Sequence, residues 1–370
     1  MRPAKRDDIG ILFLALDTYG RIGGIQRFNR RVIAALAAIS MDKGWERCAV
    51  HIMRDDQADI PEIAPVAITA FGPRRLGFIF RSIAAARHRR ILFLGHINLL
   101  AVGLICKLLA PGMRLVLFVH GDEVWNDPAH RRMRFYEPLM ARALSRIASV
   151  SAFTANRMQH AFRLPAERFR ICPNAVDDID RQPNPKRDRR NILTVARLDP
   201  HDRGKNIDAL IQAVALLERR NVECILRIVG EGPLRSELAS LARELAVEDR
   251  VEFLGHLSDV ALAEAYAQAS LFAMPSSKEG FGIVFLEAWL HGLPVICGTE
   301  DAAAEIVTDG IDGFAVDPQD IETLAATIAM LLADPDGAAA MAEAGAEKVR
   351  SRYLMAHFKG NLEKLIAELP

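Results

Sequence analysis

The chain has 370 residues, of which 51% are hydrophobic, and its 47 basic and 47 acidic side chains give a net charge of zero. A single hydrophobic core stops growing at about 250 to 300 residues, so this length predicts two domains. No stretch approaches the roughly 20 apolar residues of a membrane-spanning helix, and the apolar run at 9–16 is too short for the core of a signal peptide. We therefore expect a cytoplasmic protein.

The charges are unevenly distributed. Residues 1–185 hold 28 basic and 17 acidic groups, whereas residues 186–370 hold 19 and 30. The positive half predicts contact with an anionic surface or substrate, although mutual attraction of the two halves explains part of the asymmetry. The five cysteines are scattered through apolar runs, which indicates reduced core residues without metal or disulfide spacing.

Short apolar runs alternate with helical patterns in both halves, which predicts an α/β protein with two doubly wound, mostly parallel sheets. The predicted strands are 9–16, 48–53, 91–94, 115–119 and 147–150, then 192–195, 225–229, 251–254, 271–274 and 295–297. Between these sets, residues 181–190 are polar and contain proline, which is typical of an interdomain linker.

The first half contains two candidate binding elements. Gly23 and Gly24 lie in a glycine loop between the first strand and the first helix, where an ordinary turn is the alternative interpretation. His120 follows a very apolar strand. At the carboxyl end of a strand, an imidazole can orient a hydroxyl or assist proton movement, whereas a structural histidine bonded to the backbone is the alternative.

Residues 71–90 contain six arginines, no acidic residue, and interleaved leucine, phenylalanine and isoleucine. A basic amphipathic helix of this kind can lie on anionic lipid headgroups, which would make the protein peripheral on the inner face of the membrane. The alternative is a helix packed on the core with a solvated arginine face. No nucleic-acid partner is expected, because no aromatic platform or recognition motif accompanies the arginines.

In the second half, Arg197 and Lys205 lie near a strand end and a helix expected to start near Asn206. Two cations there can neutralise a diphosphate, whereas surface charges in a loop are the alternative. Gly230 and Gly232 follow the next strand, but they lack the third glycine of a dinucleotide fingerprint, so no nicotinamide site is expected.

The most informative segment is 276–296, SSKEGFGIVFLEAWLHGLPVI. Gly280 and Gly282 leave backbone N–H groups open at a helix start, which suits a phosphate or diphosphate. The seven residues between Glu279 and Glu287 would place both carboxylates on one side of a helix, two turns apart. The alternative is an ordinary amphipathic helix with two solvated glutamates.

The E-x7-E pattern within EGFG-x-x-x-LEA, followed by G-x-PVI, resembles the signature of retaining glycosyltransferases of family 4. The resemblance covers most of the chain and is strongest over 192–316. It implies the GT-B fold, in which two Rossmann-like domains face each other across a deep cleft. It also implies an acceptor-binding domain at 1–182, a nucleotide-sugar-binding domain at 183–354, and a C-terminal helix at 355–370 that packs back on the first domain.

The resemblance further implies site roles. Those implied for catalysis are His120, Arg197, Lys205 and Glu279, and those implied for donor binding are Gly23, Gly24, Gly232, Leu254, Gly280, Phe281, Gly282, Ile283 and Glu287. No cofactor and no metal are expected. The Asp178-Ile179-Asp180 triplet resembles the metal-binding motif of a different transferase fold, but it lies beside the predicted linker.

We therefore expect a glycosyltransferase that moves a hexose from a nucleoside-diphosphate sugar to a hydroxyl of a lipid-linked saccharide of the bacterial surface. Resemblance to lipid-linked polysaccharide mannosyltransferases favours GDP-mannose, with a UDP-hexose next. Two alternatives are a nucleotide-sugar epimerase of the same fold and a non-catalytic saccharide-binding subunit.

Overall fold

The computed structural model describes residues 9–20, 23–128, 131–179 and 190–369. It divides into two compact units, one formed by Met1–Ala175 with Met355–Pro370 and the other by Val176–Leu354. At the start of the second unit, the amide of Val176 donates to the carbonyl of Tyr353 of the same unit (2.8 Å). The expected boundary at 182/183 and nearly all of the predicted linker 181–190 fall outside the described residues.

The first unit contains a seven-stranded parallel sheet with the order β3-β2-β1-β4-β5-β6-β7. Its described strands are β1 (Ile11–Ala15), β2 (Cys48–Ile52), β3 (Ala67–Ala70), β4 (Ile91–Leu94), β5 (Arg114–Val119), β6 (Arg146–Ser149) and β7 (Phe169–Ile171). Its described helices are α1 (Gly24–Lys43), α2 (Arg75–Ala86), α3 (Leu100–Leu109), α4 (Glu137–Ala141), α5 (Ala152–Phe162) and α13 (Met355–Ala367).

The second unit contains a six-stranded parallel sheet with the order β10-β9-β8-β11-β12-β13. Its strands are β8 (Asn191–Val195), β9 (Ile225–Val229), β10 (Val251–Gly255), β11 (Leu271–Met274), β12 (Val295–Cys297) and β13 (Gly313–Ala315). Its helices are α6 (Ile207–Arg219), α7 (Leu234–Glu244), α8 (Asp259–Gln268), α9 (Ile283–Leu290), α10 (Ala303–Ile306), α11 (Ile321–Ala333) and α12 (Pro335–Arg352).

The central strands of both sheets are buried on both faces, which explains why their sequences are continuous apolar runs rather than alternating ones. The ten strands predicted from the sequence are present, with ends that differ by at most two residues. The prediction missed β3, β7 and β13, which are short strands at or beside the sheet edges. In both sheets the order reverses beside the first strand, and the carboxyl ends there are where α/β proteins bind ligands.

Helix α13 packs against α1 within the first unit. The rings of Phe28 and Phe358 meet edge to face with centroids 5.3 Å apart, and both side chains are buried. Lys359 forms an ion pair with Asp42 at the surface of the same pair of helices. An aromatic contact therefore anchors a helix that 179 intervening residues separate from the rest of its unit.

In the described part of the chain, the structure has no one helix that is long and apolar enough to cross a membrane. Helices α11 and α12 are long and apolar enough only when they are taken together, and the chain bends by 102° between them. The five cysteines are reduced and buried, as the sequence predicts.

Candidate functional site

Helix α9 follows the loop after β11, and a glycine immediately precedes its first residue. Gly282 precedes the helix with φ of +89°, a conformation that favours glycine, and a Cβ there would lie 2.6 Å from the ring of Phe285. Because the helix starts at Ile283, Glu279 lies in the preceding loop. The expectation that Glu279 and Glu287 share one side of one helix is therefore wrong, since only Glu287 is helical.

Glu279 instead forms an ion pair with Lys205. Only 16% of the Lys205 side chain and 18% of the Glu279 side chain are exposed. Burial alone would lower the pKa of Lys205, but the carboxylates of Glu279, Asp202 and Asp301, Glu279 foremost, together outweigh burial and raise that pKa above its usual value. The amide of Gly280 also donates to Glu279 Oε1 (3.1 Å). The pair thus fixes a charged ammonium group close to the start of α9.

Two hydrogen bonds to backbone carbonyls hold the segment that carries Lys205 against the loop that carries Glu279. Asn206, with φ of +53°, donates through Nδ2 to the carbonyl of Pro275 (2.8 Å). The amide of Ser277 donates to the carbonyl of Gly204 (2.8 Å). The predicted helix start near Asn206 is confirmed, because α6 begins at Ile207. This sharp turn places Lys205 beside a residue 74 positions away.

Arg197 lies in a different environment from Lys205. Its side chain is 81% exposed and forms an ion pair with Asp202, with 3.2 Å between Nε and Oδ2. Asp202 is itself mostly shielded from solvent. The structure therefore joins Lys205 to Glu279, whereas Arg197 faces solvent from the same segment.

The loops that follow β8 and β9 approach each other closely at two glycines. Gly230 and Gly232 have φ of +137° and +150°, and a Cβ at either would lie 1.8 Å or 2.2 Å from a carbonyl oxygen of the loop after β8. The amide of Gly230 also donates to the carbonyl of Gly255, at the end of β10 (2.8 Å). Glycine is thus required at both positions, where the ends of β8, β9 and β10 converge. Leu254 lies half-buried on β10.

Glu287 projects from the first turns of α9 and accepts a hydrogen bond from the buried hydroxyl of Tyr266 (3.2 Å). The Tyr266 ring stacks on His291 with centroids 5.0 Å apart and nearly parallel planes. Phe281 is buried against Tyr353 (5.8 Å between ring centroids). The carboxylate of Glu287 is therefore oriented from one side by an aromatic residue of α8.

In the first unit, His120 lies at the carboxyl end of β5, as expected. Its Nε2 is 3.2 Å from the carbonyl oxygen of Gly95, and its ring packs edge to face on Phe28 (4.6 Å). Burial lowers the pKa of His120 to about 4, although the hydrogen bond to Gly95 opposes that shift. The imidazole is neutral near pH 7, and with Nε2 donating to the carbonyl, Nδ1 is left as an acceptor.

Glu123 is a residue of this turn that sequence reasoning missed. Its Oε1 accepts from the backbone amide of His120, and its side chain is buried. Burial raises the pKa of Glu123 to about 7. Arg131 donates to the carbonyl of Glu123 (2.8 Å) and pairs with the buried carboxylate of Glu137. An acidic residue three positions after a strand-end histidine is the signal that could have indicated this turn.

Gly23 and Gly24 lie at the start of α1. Gly23 has an extended backbone that any residue adopts, and a Cβ on Gly24 would meet nothing within 4 Å. Residues 21–22 of the same loop are outside the described residues. A Cβ on Gly23 would lie 2.4 Å from Oε1 of the Gln26 side chain, so a larger residue there would require that side chain to move, whereas Gly24 is open.

Within the described ranges, no group of three His, Cys, Asp or Glu residues could hold a metal ion. Asp178, the first acid of the Asp178-Ile179-Asp180 triplet, lies 3.9 Å from Arg350 in an ion pair. Asp180 lies outside the described residues.

Two family models match adjoining parts of the chain. The model described as Glycosyltransferase Family 4 matches residues 22–179, and the one described as Glycosyl transferases group 1 matches residues 176–348. A Mycobacterium tuberculosis protein named GDP-mannose-dependent alpha-(1-6)-phosphatidylinositol monomannoside mannosyltransferase is 34% identical over 271 residues, 66% of this chain and 67% of that protein. The chain belongs to the family 4 glycosyltransferases.

Another relative agrees with this membership, and solved structures share the fold. A Mycolicibacterium smegmatis protein of the same name is 34% identical to the transferase over 64% of this chain and 65% of its own, so the matches span about two thirds of these relatives. Sucrose-phosphate synthase from Thermosynechococcus elongatus superposes with a TM-score of 0.77 at 22% identity, covering 97% of this chain and 99% of its own.

The structure of Anabaena Alr3699/HepE in complex with UDP and glucose superposes with a TM-score of 0.76, also at 22% identity and with coverage of 97% and 99%. At that identity the similarity establishes the fold alone. The transferase therefore has the GT-B type of α/β architecture, with two parallel-sheet Rossmann-like units, as the sequence predicted.

Proposed function

We propose that this glycosyltransferase moves mannose from GDP-mannose to a hydroxyl of a lipid-linked saccharide, with retention at the anomeric carbon. The observation that carries the proposal is the shielded Lys205–Glu279 pair at the start of α9, in the unit matched by the group 1 model. The choice of donor and acceptor rests on the mycobacterial relatives, whose names specify GDP-mannose and a phosphatidylinositol mannoside.

The proposed chemistry depends on the departure of the diphosphate. As the bond from the anomeric carbon to the diphosphate oxygen breaks, positive charge develops on the sugar and negative charge on the leaving group. The ammonium of Lys205 and backbone amides at the start of α9 would bind the leaving oxygens. Arg197 would be the second cation, and its exposed side chain would exchange Asp202 for the diphosphate.

The two glutamates would hold hydroxyl groups of the donor. Glu279, fixed by Lys205, would accept from hydroxyls of the transferred sugar, and Glu287, fixed by Tyr266, would accept from the ribose. The amides of Gly280 to Ile283 would meet the diphosphate, while Gly232 and Leu254 would border the base. A sugar-holding role suits Glu279 because a diphosphate needs little acid catalysis to leave.

In the first unit, we propose that His120 binds a saccharide hydroxyl through Nδ1, the nitrogen that is not directed at Gly95. Gly23 and Gly24, at the start of α1, would offer amides to a phosphate group. We propose that turnover needs no metal, because cations of the chain and helix amides neutralise the leaving group. EDTA inhibition that manganese reverses would contradict this.

A membrane-facing surface is part of the proposal for the acceptor. Helices α2, α3 and α4 pack side by side, and their outer faces expose apolar side chains: Leu76, Phe80, Ile105, Leu108, Leu109 and Leu139. Phe135, just before α4, is 93% exposed. Arg74, Arg75 and Arg81, close to Leu76 and Phe80 in the sequence, are exposed as well. Apolar groups near cations suit an anionic lipid surface.

Vesicle flotation would test this surface. Wild-type protein should float with vesicles that contain anionic lipid and much less with neutral ones, whereas a Leu76→Ser, Phe80→Ser variant should remain at the bottom with both. Val260→Ser is the matched control, because Val260 is equally exposed but lies in the second unit. Equal flotation of wild type and the double variant would contradict the proposal.

The function itself is tested by ligand-dependent thermal shifts with GDP, UDP, ADP and dTDP. A ligand at 100 times its dissociation constant stabilises a protein by about 2.7 kcal/mol, which such a shift detects readily. GDP should shift the transition, and Glu287→Ala should abolish the shift. GDP-mannose with a phosphatidylinositol mannoside should then give an α-linked product by NMR.

Other outcomes of these assays would replace the proposal. A shift with UDP alone would replace mannose by a UDP-hexose, the kind of donor nucleotide in the Anabaena complex. Formation of an epimer from donor alone would indicate an isomerase. Nucleotide binding without transfer to any saccharide acceptor would indicate a non-catalytic binding subunit.

A further inference from the structure

A buried hydrogen bond joins the loop that carries Glu279 to the loop after β12. Ser276, in the loop after β11, is fully buried and donates through its hydroxyl to Oδ2 of Asp301, which is 3% exposed in the loop after β12. Oδ1 of Asp301 accepts from the amide of Ala303 (2.9 Å). Both carboxylate oxygens of Asp301 are thus occupied, one by each loop.

Two further contacts fasten the same loops. The amide of Ala302 donates to the carbonyl of Glu279 (3.2 Å). Gly298 passes so close to Ser276 that a Cβ on it would lie 1.7 Å from the Ser276 carbonyl oxygen. Asp301 therefore belongs to a rigid backing that sets where the Glu279 backbone lies.

Asp301 also interacts with the charges of the pair. Burial raises the pKa of Asp301 to about 7, the Ser276 hydrogen bond opposes the shift, and the charge of Glu279 adds to it. Lys205 faces Asp301 from the segment before α6 and favours the ionised form. Cys297 on β12 is the other titratable neighbour, and burial keeps its thiol protonated. Burial therefore brings the pKa of Asp301 towards neutral pH, at a position that both charges of the pair influence.

We propose that Asp301 is a positioning residue that holds Glu279 through Ser276 and, by its ionisation, sets how much of the Lys205 charge is available to the departing diphosphate. The inference rests on the proposed function, because it assumes that Lys205 meets that diphosphate. When Asp301 is protonated, the ammonium keeps its ion pair with Glu279 and the attraction of the Asp202 carboxylate. An ionised Asp301 attracts the ammonium and repels the diphosphate.

The direction of the pH dependence follows from these charges. The donor kcat/KM should fall by about fivefold as the pH rises through the Asp301 transition, a size typical of one added charge near a partly shielded site. Asp301→Asn should remove this transition and stay at the higher value above neutral pH. The asparagine can still accept from the Ala303 amide through Oδ1 and donate to Ser276 through Nδ2, so the loops remain joined.

Two more variants make the test specific. Ser276→Ala removes the hydrogen bond that favours the Asp301 carboxylate, so the transition should move to higher pH. Asp320→Asn is the control, because Asp320 also accepts from a hydroxyl and an amide, both of Thr323, but caps α11. It should keep the wild-type profile even where it lowers the melting temperature.

The experiment measures donor kcat/KM for the four proteins between about pH 5.5 and 9. The proposal is overturned if Asp301→Asn keeps the wild-type transition, or if it lowers the melting temperature while changing kcat/KM equally at every pH. Carbon-13 NMR of aspartate-labelled protein gives a readout without turnover: the resonance lost in Asp301→Asn should titrate near neutral pH. Absence of nucleotide binding in wild type would instead refute the proposed function.

Discussion

Breaking the Lys205–Glu279 ion pair should cost both stability and turnover, and the two costs can be separated. Lys205→Met keeps most of the side-chain volume and removes the charge, and Glu279→Gln keeps the shape and removes the other charge. Because less than a fifth of either side chain is exposed, each single change leaves a shielded charge without its ion-pair partner. We expect each to lower the free energy of unfolding by about 2 kcal/mol.

The double variant defines the interaction between the two groups. Opposite charges about 4 Å apart attract by about 4 kcal/mol at an effective dielectric constant of 20, and desolvation of both groups offsets part of that. We therefore expect the double variant to be less destabilised than the sum of the single variants by about 1 to 2 kcal/mol. Urea denaturation gives these values, and added salt should change them little because the pair is shielded.

Turnover should respond more strongly than stability. Lys205→Met should lower kcat by about 100-fold or more, the effect of losing one preorganised charge at a leaving group. Lys348→Met is the matched control, because Lys348 is equally shielded and pairs with buried Asp312 in the same unit, but beside Trp289. If Lys348→Met reduced kcat as much as Lys205→Met, or if the double-variant cycle gave no coupling, the reasoning would be refuted.

Three further predictions concern stability and its pH dependence. Gly298→Ala should lower the free energy of unfolding by about 3 kcal/mol or more in urea titrations, because its Cβ would overlap the Ser276 carbonyl. Gly360→Ala is the control and should raise the free energy of unfolding by about 0.5 to 1 kcal/mol, because Gly360 lies in an open position on α13. The folded-state pKa of His120 is depressed to about 4, so the stability that the neutral His120 contributes should be lost as the pH falls from about 6.5 towards 4. His120→Asn should reduce that loss, which urea titrations at several pH values measure. The folded-state pKa of Glu123 is raised to about 7, so the stability that the protonated Glu123 contributes should be lost as the pH rises from about 4.5 through 7, opposite in sign to the contribution of His120. A wild-type slope of stability against pH retained in Glu123→Gln would contradict this.

Hydrophobic patterning predicted the sheets well because parallel strands buried on both faces are continuous apolar runs. The strands it missed lack that pattern: β3 reads AITA and is half exposed, and β13 has only three residues beginning with glycine. Their positions depend on pairing with β2 and β12, which no local pattern records.

At the candidate site, local spacing predicted the helix start near Asn206 but misplaced Glu279. The spacing of seven residues implied one continuous helix, whereas the positive φ of Gly282 delays the helix until Ile283. The partners of the loop residues could not be predicted, since Lys205 meets Glu279 across 74 positions and Ser276 meets Asp301 across 25. Such contacts follow from which strand ends adjoin in the sheet.

The placement of α13 has a consequence for how the chain acquires its structure during synthesis. The first unit begins the chain, yet it lacks the helix that covers Phe28 until residues after Leu354 have left the ribosome. The second unit is a single uninterrupted segment and can complete its core first. Residues 1–175 made alone should therefore expose an apolar strip along α1. A deletion variant that lacks residues 176–354, and so joins residue 175 directly to residue 355, should fold without the second unit.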